Sequence, residues 1–193
     1  MNQRSLLDVD WSKIPAPADD GGAAHLKGMA VAPVSLLATN DAMVTLAALS
    51  GRTVVFAYPR TGEPGKIALV DDWDMIPGAR GCTPHACAFR DLFAELKAAG
   101  AAQVFGLSTQ SNAYQTEMAS RLHLPFPVLS DEKLELTEAL GLPTMEVAGQ
   151  TLIKRLALII DDGRITHVFY PVFPPDRNAA DVLAWLKENP VEA

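Results

Sequence analysis

Two spacings organise the hydrophobic positions of this chain. Short runs with little polar interruption mark strands buried on both faces: TVVFAY at 53–58, closed by Pro59, and QVFGLS at 103–108. A third short strand lies at 126–129. Elsewhere apolar residues recur every three or four positions, the period of a helix with one buried face. Ala86, Phe89, Phe93 and Leu96 predict a helix over 84–99, with Thr83 as N-cap, Pro84 at the first helical position and Gly100 as the stop. Met118 and Leu122 place a second helix at 114–122, and a third runs over 134–140 to Gly141. Strands at 152–160 and 165–169 flank Asp161-Asp162-Gly163, a hairpin signal. A last helix over 178–187 turns Val182, Leu183 and Leu186 inward. The order β–α–β–α–β–α–β–β–α predicts an α/β layer fold. Its central sheet is mixed: crossover-linked strands first, an antiparallel hairpin after them.

Residues 1–24 end in PAPADDGGAA, without periodicity, and read as a flexible N-terminal tail; 25–193 reads as one domain. Positions 59–81 hold two Pro-Gly pairs and are too long for a simple connection, which marks the stretch as functional or mobile. With 49% hydrophobic and 20% charged residues, the 193-residue chain can bury a core without staples. A formal charge of −7 argues against nucleic acid or an anionic membrane as the main partner. The longest strongly apolar run, 156–160, is far short of the roughly 20 residues of a membrane-spanning helix. No continuous apolar region opens the N-terminus, so no signal peptide is expected and the chain reads as cytoplasmic.

The two cysteines, Cys82 and Cys87, sit at the start of the helix that follows the long loop. In a reducing compartment that closeness points to redox work or a metal. A helix N-terminus offers unpaired N–H groups and a favourable dipole, both of which favour thiolate. Taking a thiol pKa from about 8.5 to about 6 needs roughly 3.4 kcal/mol, whereas one helix end supplies about 0.3–1 kcal/mol. A cation must supply the rest, and Arg80, Arg90 and Arg155 are the candidates. In regular helix, residues five apart have Cα atoms about 9 Å from each other, but a disulfide wants about 5.5–6 Å. The pair can bond only if the first turn unwinds or was never formed. So short a loop gives the bond little chain-entropy gain, about 2 kcal/mol, which suits a bond made to form and break. Two alternatives stand beside this one. Both cysteines could pack as small hydrophobes, or Cys82, His85 and Cys87 could bind zinc or copper, although His25, His123 and His167 are scattered.

GCTPHACAFRD, residues 81–91, resembles the active-site segment of the Q-type peroxiredoxins, the bacterioferritin-comigratory-protein branch of thioredoxin-like peroxidases. The resemblance extends to GRTVVFAYP at 51–59, VFGLST at 104–109, PVLSD at 127–131 and KRLALIID at 154–161, in order and spacing. It covers about residues 28–187. It implies a thioredoxin-like fold and a thiol-dependent peroxidase that needs no metal, haem or flavin. Cys82 would be the peroxidatic cysteine, oxidised by a hydroperoxide to a sulfenic acid. Cys87 would resolve it to an intramolecular disulfide, which a thioredoxin-like dithiol reduces. Arg155 would stabilise the thiolate and the charge moving through the transition state. Pro59, Gly81 and Thr83 would contact the peroxide, and a monomer or weak homodimer suffices.

In one place the chain departs from that pattern. Proline seven and threonine or serine three positions before the peroxidatic cysteine are replaced by Met75 and Ala79, because about sixteen extra residues, 60–76, follow Pro59. Thr61, Thr83 or the N–H groups of Gly81 and Cys82 would have to take over the missing hydroxyl's role. His85 reads as an exposed first-turn residue, Arg90 as a neighbour of the site, and Trp73 with Asp74 as a cover or a plug. A general thiol–disulfide oxidoreductase and a non-enzymatic redox sensor are the competing functions. The first lacks the C-x-x-C spacing.

Overall fold

The runs read as doubly buried strands form the middle of a seven-stranded sheet in the computed structural model, which describes residues 9–191. In chain order its strands are β1 (Ser35–Ala38), β2 (Met43–Thr45), β3 (Arg52–Ala57), β4 (Gln103–Ser108) and β5 (Val128–Ser130). A separate two-stranded hairpin holds β6 (Thr144–Val147) and β7 (Gln150–Ile153), and the main sheet ends with β8 (Leu156–Asp161) and β9 (Arg164–Phe169). The spatial order is β2-β1-β5-β4-β3-β8-β9. Strand β3 is parallel to β4 and antiparallel to β8, and all six of its residues are buried. Among the described residues five α-helices flank the sheet: α1 (Cys82–Asp91), α2 (Phe93–Ala98), α3 (Asn112–Arg121), α4 (Glu135–Leu140) and α5 (Asn178–Glu188).

Alternate residues of β3 feed two cores. Val54 and Phe56 join Phe89, Leu96, Met118, Val182 and Leu186, from α1, α2, α3 and α5. Val55 and Ala57 join Leu136 and Leu140 of α4 and Leu26 and Leu36 from the N-terminal side. Each such large side chain contributes about 1.5–3 kcal/mol when fully buried. The predicted hairpin closes on Asp162 (φ 48°) and Gly163 (φ 75°), two successive left-handed residues. Only glycine fits the second place, because a Cβ there would lie 2.5 Å from the Ala47 carbonyl oxygen.

Three expectations are revised. The helix over 84–99 is two helices, broken at Leu92, with Phe89 stacked on Phe56 at 4.2 Å and Phe93 tilted against Phe126 at 5.8 Å. Its N-cap is Gly81 (φ 103°), not Thr83, so Cys82 opens the first turn and Pro84 is third. The strand over 152–160 is also two: β7 leaves the main sheet to pair with β6, and the chain bends at 154–155 before entering β8. Residues 1–8 of the expected tail lie outside the described residues. From Asp10 onward the segment lies against the domain: Trp11 Nε1 donates to Asp176 (2.9 Å), Asp20 pairs with Lys154 (2.5 Å) and accepts from Tyr170 (2.6 Å), and Ala23 is buried. No helix among the described residues is long and apolar enough to cross a membrane.

Asp131 ties β5 to α4. Its buried carboxylate accepts from the Leu136 and Thr137 backbone N–H groups and the Thr137 hydroxyl, at 3.1, 2.7 and 2.6 Å. Asp131→Ala would strand these donors and should cost about 2–3 kcal/mol of stability. Urea unfolding should show a lower midpoint at unchanged slope, with Asp131→Asn falling between the two.

Candidate active site

Cys82 occupies the first position of α1, where the Cys82 and Thr83 N–H groups have no partner inside the helix. Pro84, the third residue, has no N–H at all, so this turn is held by few bonds. Gly81 is required as the cap: its φ is left-handed, and a Cβ would lie 2.6 Å from Trp11 Cη2 and 2.8 Å from Pro175 Cγ. The sulfur is 3.5 Å from the Ala79 carbonyl and only 3% of the residue is exposed.

Of the three candidate cations, Arg155 reaches the sulfur. It stands at the bend between β7 and β8, almost wholly buried, and its Nη2 donates to Cys82 Sγ at 3.1 Å. The same nitrogen faces the carbonyls of Gly78, Ala79 and Arg80 at 3.2–3.4 Å. Among the described residues no carboxylate forms an ion pair with it. Arg80 pairs with Asp74 of the inserted loop (3.1 Å), and Arg90 with Asp91 (2.8 Å) and the Leu122 carbonyl (2.9 Å).

His85 is fully buried, not exposed as its first-turn position suggested. Its Nδ1 accepts from Arg155 Nη1 (3.0 Å) and its Nε2 donates to Asn178 Oδ1 (2.8 Å). Burial, then the neighbouring guanidinium, hold the imidazole well below its ordinary pKa, so it is neutral and this tautomer serves both bonds. Sequence reasoning missed Asn178 altogether, because it sits at the start of α5, ninety-three positions away. A metal on Cys82, His85 and Cys87 would have to displace one of the two histidine bonds.

Cys87 lies on the same helix, buried and free, and its burial pushes the thiol pKa up. Thr83 lines a cleft of about 310 Å³ that opens onto Cys82. The insertion supplies its far wall through Thr61, Pro64, Leu69 and Trp73, with Tyr114 from α3. Trp73 is also anchored in a small core with Ala79, Val147 and Leu152, so it is both wall and plug. Thr61 is buried, its N–H and hydroxyl both donating to Gln110 at 2.9 and 3.2 Å. Pro59 is buried at the end of β3 and does not line the cleft, whereas Gly81 does.

A cysteine at a helix start, faced by an arginine from the bend before β8, is an arrangement suited to thiol redox chemistry. The Redoxin family model matches residues 26–183. Peroxiredoxin Bcp of Escherichia coli (strain K12) is 34% identical over 170 residues, 85% of this chain and 97% of that protein. Chloroplastic peroxiredoxin Q of Oryza sativa subsp. japonica is 31% identical over 163 residues, which are 83% of this chain and 66% of that protein, just under two thirds of its length. The solved structure of peroxidoxin BcpB from Mycobacterium tuberculosis matches with a TM-score of 0.69 at 27% identity, covering 86% of this chain and all of that one. The chain belongs to the Redoxin family and, within it, to the thioredoxin-like peroxiredoxins of the Bcp and Q type.

The geometry assigns different weights to the three arginines. Arg155→Met should slow oxidation of Cys82 by hydrogen peroxide about a hundredfold or more, the usual cost of removing a preorganised donor. Arg90→Met should change it less than about threefold, since its partners lie elsewhere. Stopped-flow oxidation scored by free thiols checks both. An unchanged rate in Arg155→Met would move the role to Arg80.

Proposed function

We propose that this chain reduces hydroperoxides at Cys82 and closes the cycle with Cys87. The observation that carries the reading is the Arg155–Cys82 contact at a helix N-terminus, 3.1 Å long and, among the described residues, without a competing carboxylate. The Cys82 thiolate attacks the outer oxygen of the peroxide. The O–O bond breaks, the remaining oxygen leaves as water or an alcohol after taking a proton, and Cys82 becomes a sulfenic acid. Negative charge passes from sulfur to oxygen beside the guanidinium and the first-turn N–H groups, whose dipoles need no reorganisation. Thr83 and Gly81 are the proposed peroxide contacts, while the Thr61 hydroxyl in the opposite wall is committed to Gln110.

Cys87 then attacks the sulfenic sulfur. An S–S bond forms and the hydroxyl leaves as water. The helical spacing of about 9 Å exceeds disulfide reach, so the first turn of α1 must open. A first turn with no side-chain cap bond and with Pro84 in it makes that opening inexpensive. A thioredoxin-like dithiol restores both thiols by exchange. Both cysteines lie on one chain, so a monomer or weak homodimer suffices, and free thiols suit the reducing cytoplasm. The cleft of about 310 Å³ leaves room for an organic hydroperoxide as well as hydrogen peroxide.

Cys82→Ser should abolish peroxide consumption, since a hydroxyl cannot replace the thiolate. Cys87→Ser should complete one oxidation and stall as the sulfenic acid or overoxidise. Loss of the first oxidation in Cys87→Ser, with its retention in Cys82→Ser, would reverse the two roles. Insulin reduction without peroxide turnover would favour an oxidoreductase. In the disulfide form, amide exchange should rise over 81–91 while 54–57 and 156–160 stay protected. Equal protection over 81–91 in both forms would exclude the unwinding.

A further inference from the structure

The N-terminal segment and the insertion both lie against the reactive loop at 77–81. Segment 9–24 precedes the start of the Redoxin match at residue 26. It crosses residues 78–81, whose carbonyls at 78–80 hold Arg155 and whose last residue caps α1. Trp11 lies closely over the Gly81 backbone, edge-on to Phe173 at 6.0 Å, with its indole N–H on Asp176. Pro17 rests at 3.5 Å from the place a Gly78 Cβ would take. Asp20 anchors the far end on Lys154, the neighbour of Arg155, and on Tyr170. Those two partners, Lys154 first, hold its carboxyl well below the usual range. Between strap and loop a cavity of about 250 Å³ remains, lined by Pro17, Asp20, Gly78, Arg155 and Tyr170. It leaves residues 77–79 space to shift.

We infer that this segment is a strap that holds the reactive loop in its reduced arrangement, with Trp11 as the positioning residue, and that it must lift when Cys82 leaves the helix to bond Cys87. The inference rests on the Cys82–Cys87 cycle proposed above. Its logic is differential contact: a group that binds one of two states shifts the equilibrium by its preference, and no more. In the reduced form the Trp11 ring and Pro175 close off the outer side of Gly81. Disulfide formation must displace Gly81 and Cys82 together, and the contacts between ring and backbone are then lost. The strap therefore favours the dithiol form and sets the ease of resolution, although Trp11 touches neither sulfur.

The test is the redox equilibrium of the cysteine pair against dithiothreitol, scored by free thiol count, in wild type, Trp11→Phe and Trp11→Ala. One hydrogen bond and a partly buried ring correspond to about a tenfold effect. The constant for disulfide formation should therefore rise about tenfold in Trp11→Ala, a potential about 30 mV more negative. Trp11→Phe should fall between. Hydrogen exchange on wild-type protein should show faster exchange across 11–22 after oxidation by diamide than in the reduced form. An unchanged potential in Trp11→Ala, equal exchange across 11–22 in both forms, or failure of diamide to join the pair would overturn the inference. Neither readout uses a peroxide. Absent peroxide turnover with these shifts present would overturn the proposed activity and leave the strap standing.

Discussion

A buried guanidinium with no carboxylate partner among the described residues governs this site. Removing a charge from water costs several kcal/mol unless its surroundings replace the hydration. Arg155 is 2% exposed, and what surrounds it is three backbone carbonyls, a neutral imidazole and the Cys82 sulfur. Carbonyls and imidazole supply partial charge only. Among the described residues in contact with it, the sulfur is the group that can carry the opposite full charge. The loop at 78–81, the bend at 154–155 and the His85–Asn178 bond all serve to hold that charge in place.

The same arrangement makes the start of α1 expendable. Gly81 offers no side chain to cap the helix and Pro84 no N–H to lock it, while the body of α1 is pinned by Phe89 in the core. Local opening therefore stays local. Cys87 is buried in the body of the helix and its pKa is raised by that burial, so in the proposed cycle it waits as a protonated thiol until the turn opens.

Much of the scaffold was legible because burial on both faces writes itself as unbroken runs: β3, β4 and β8 carry polar residues only toward their ends. The hairpin at Asp162-Gly163 was legible from turn chemistry, and Cys82, Cys87 and Arg155 from spacing and resemblance. Strands β1, β2 and β6 were missed because they are short and only partly buried. The run over 152–160 hid a bend because local pattern cannot show that β7 pairs with a different partner than β8; the bend is where Arg155 stands. His85 looked exposed because its partners, Arg155 and Asn178, come from distant segments. The strap looked like a tail because its anchors, Trp11, Pro17 and Asp20, follow no period.

The central claim is that the Cys82 sulfur and the Arg155 guanidinium stabilise each other. A double-mutant cycle on the reduced protein at pH 7 tests it most directly, using urea unfolding of wild type, Cys82→Ser, Arg155→Met and the double variant. Groups in contact show coupling of about 0.5–3 kcal/mol, and this buried contact should show about 1 kcal/mol or more. Additivity of the two substitutions within about 0.5 kcal/mol would contradict the account.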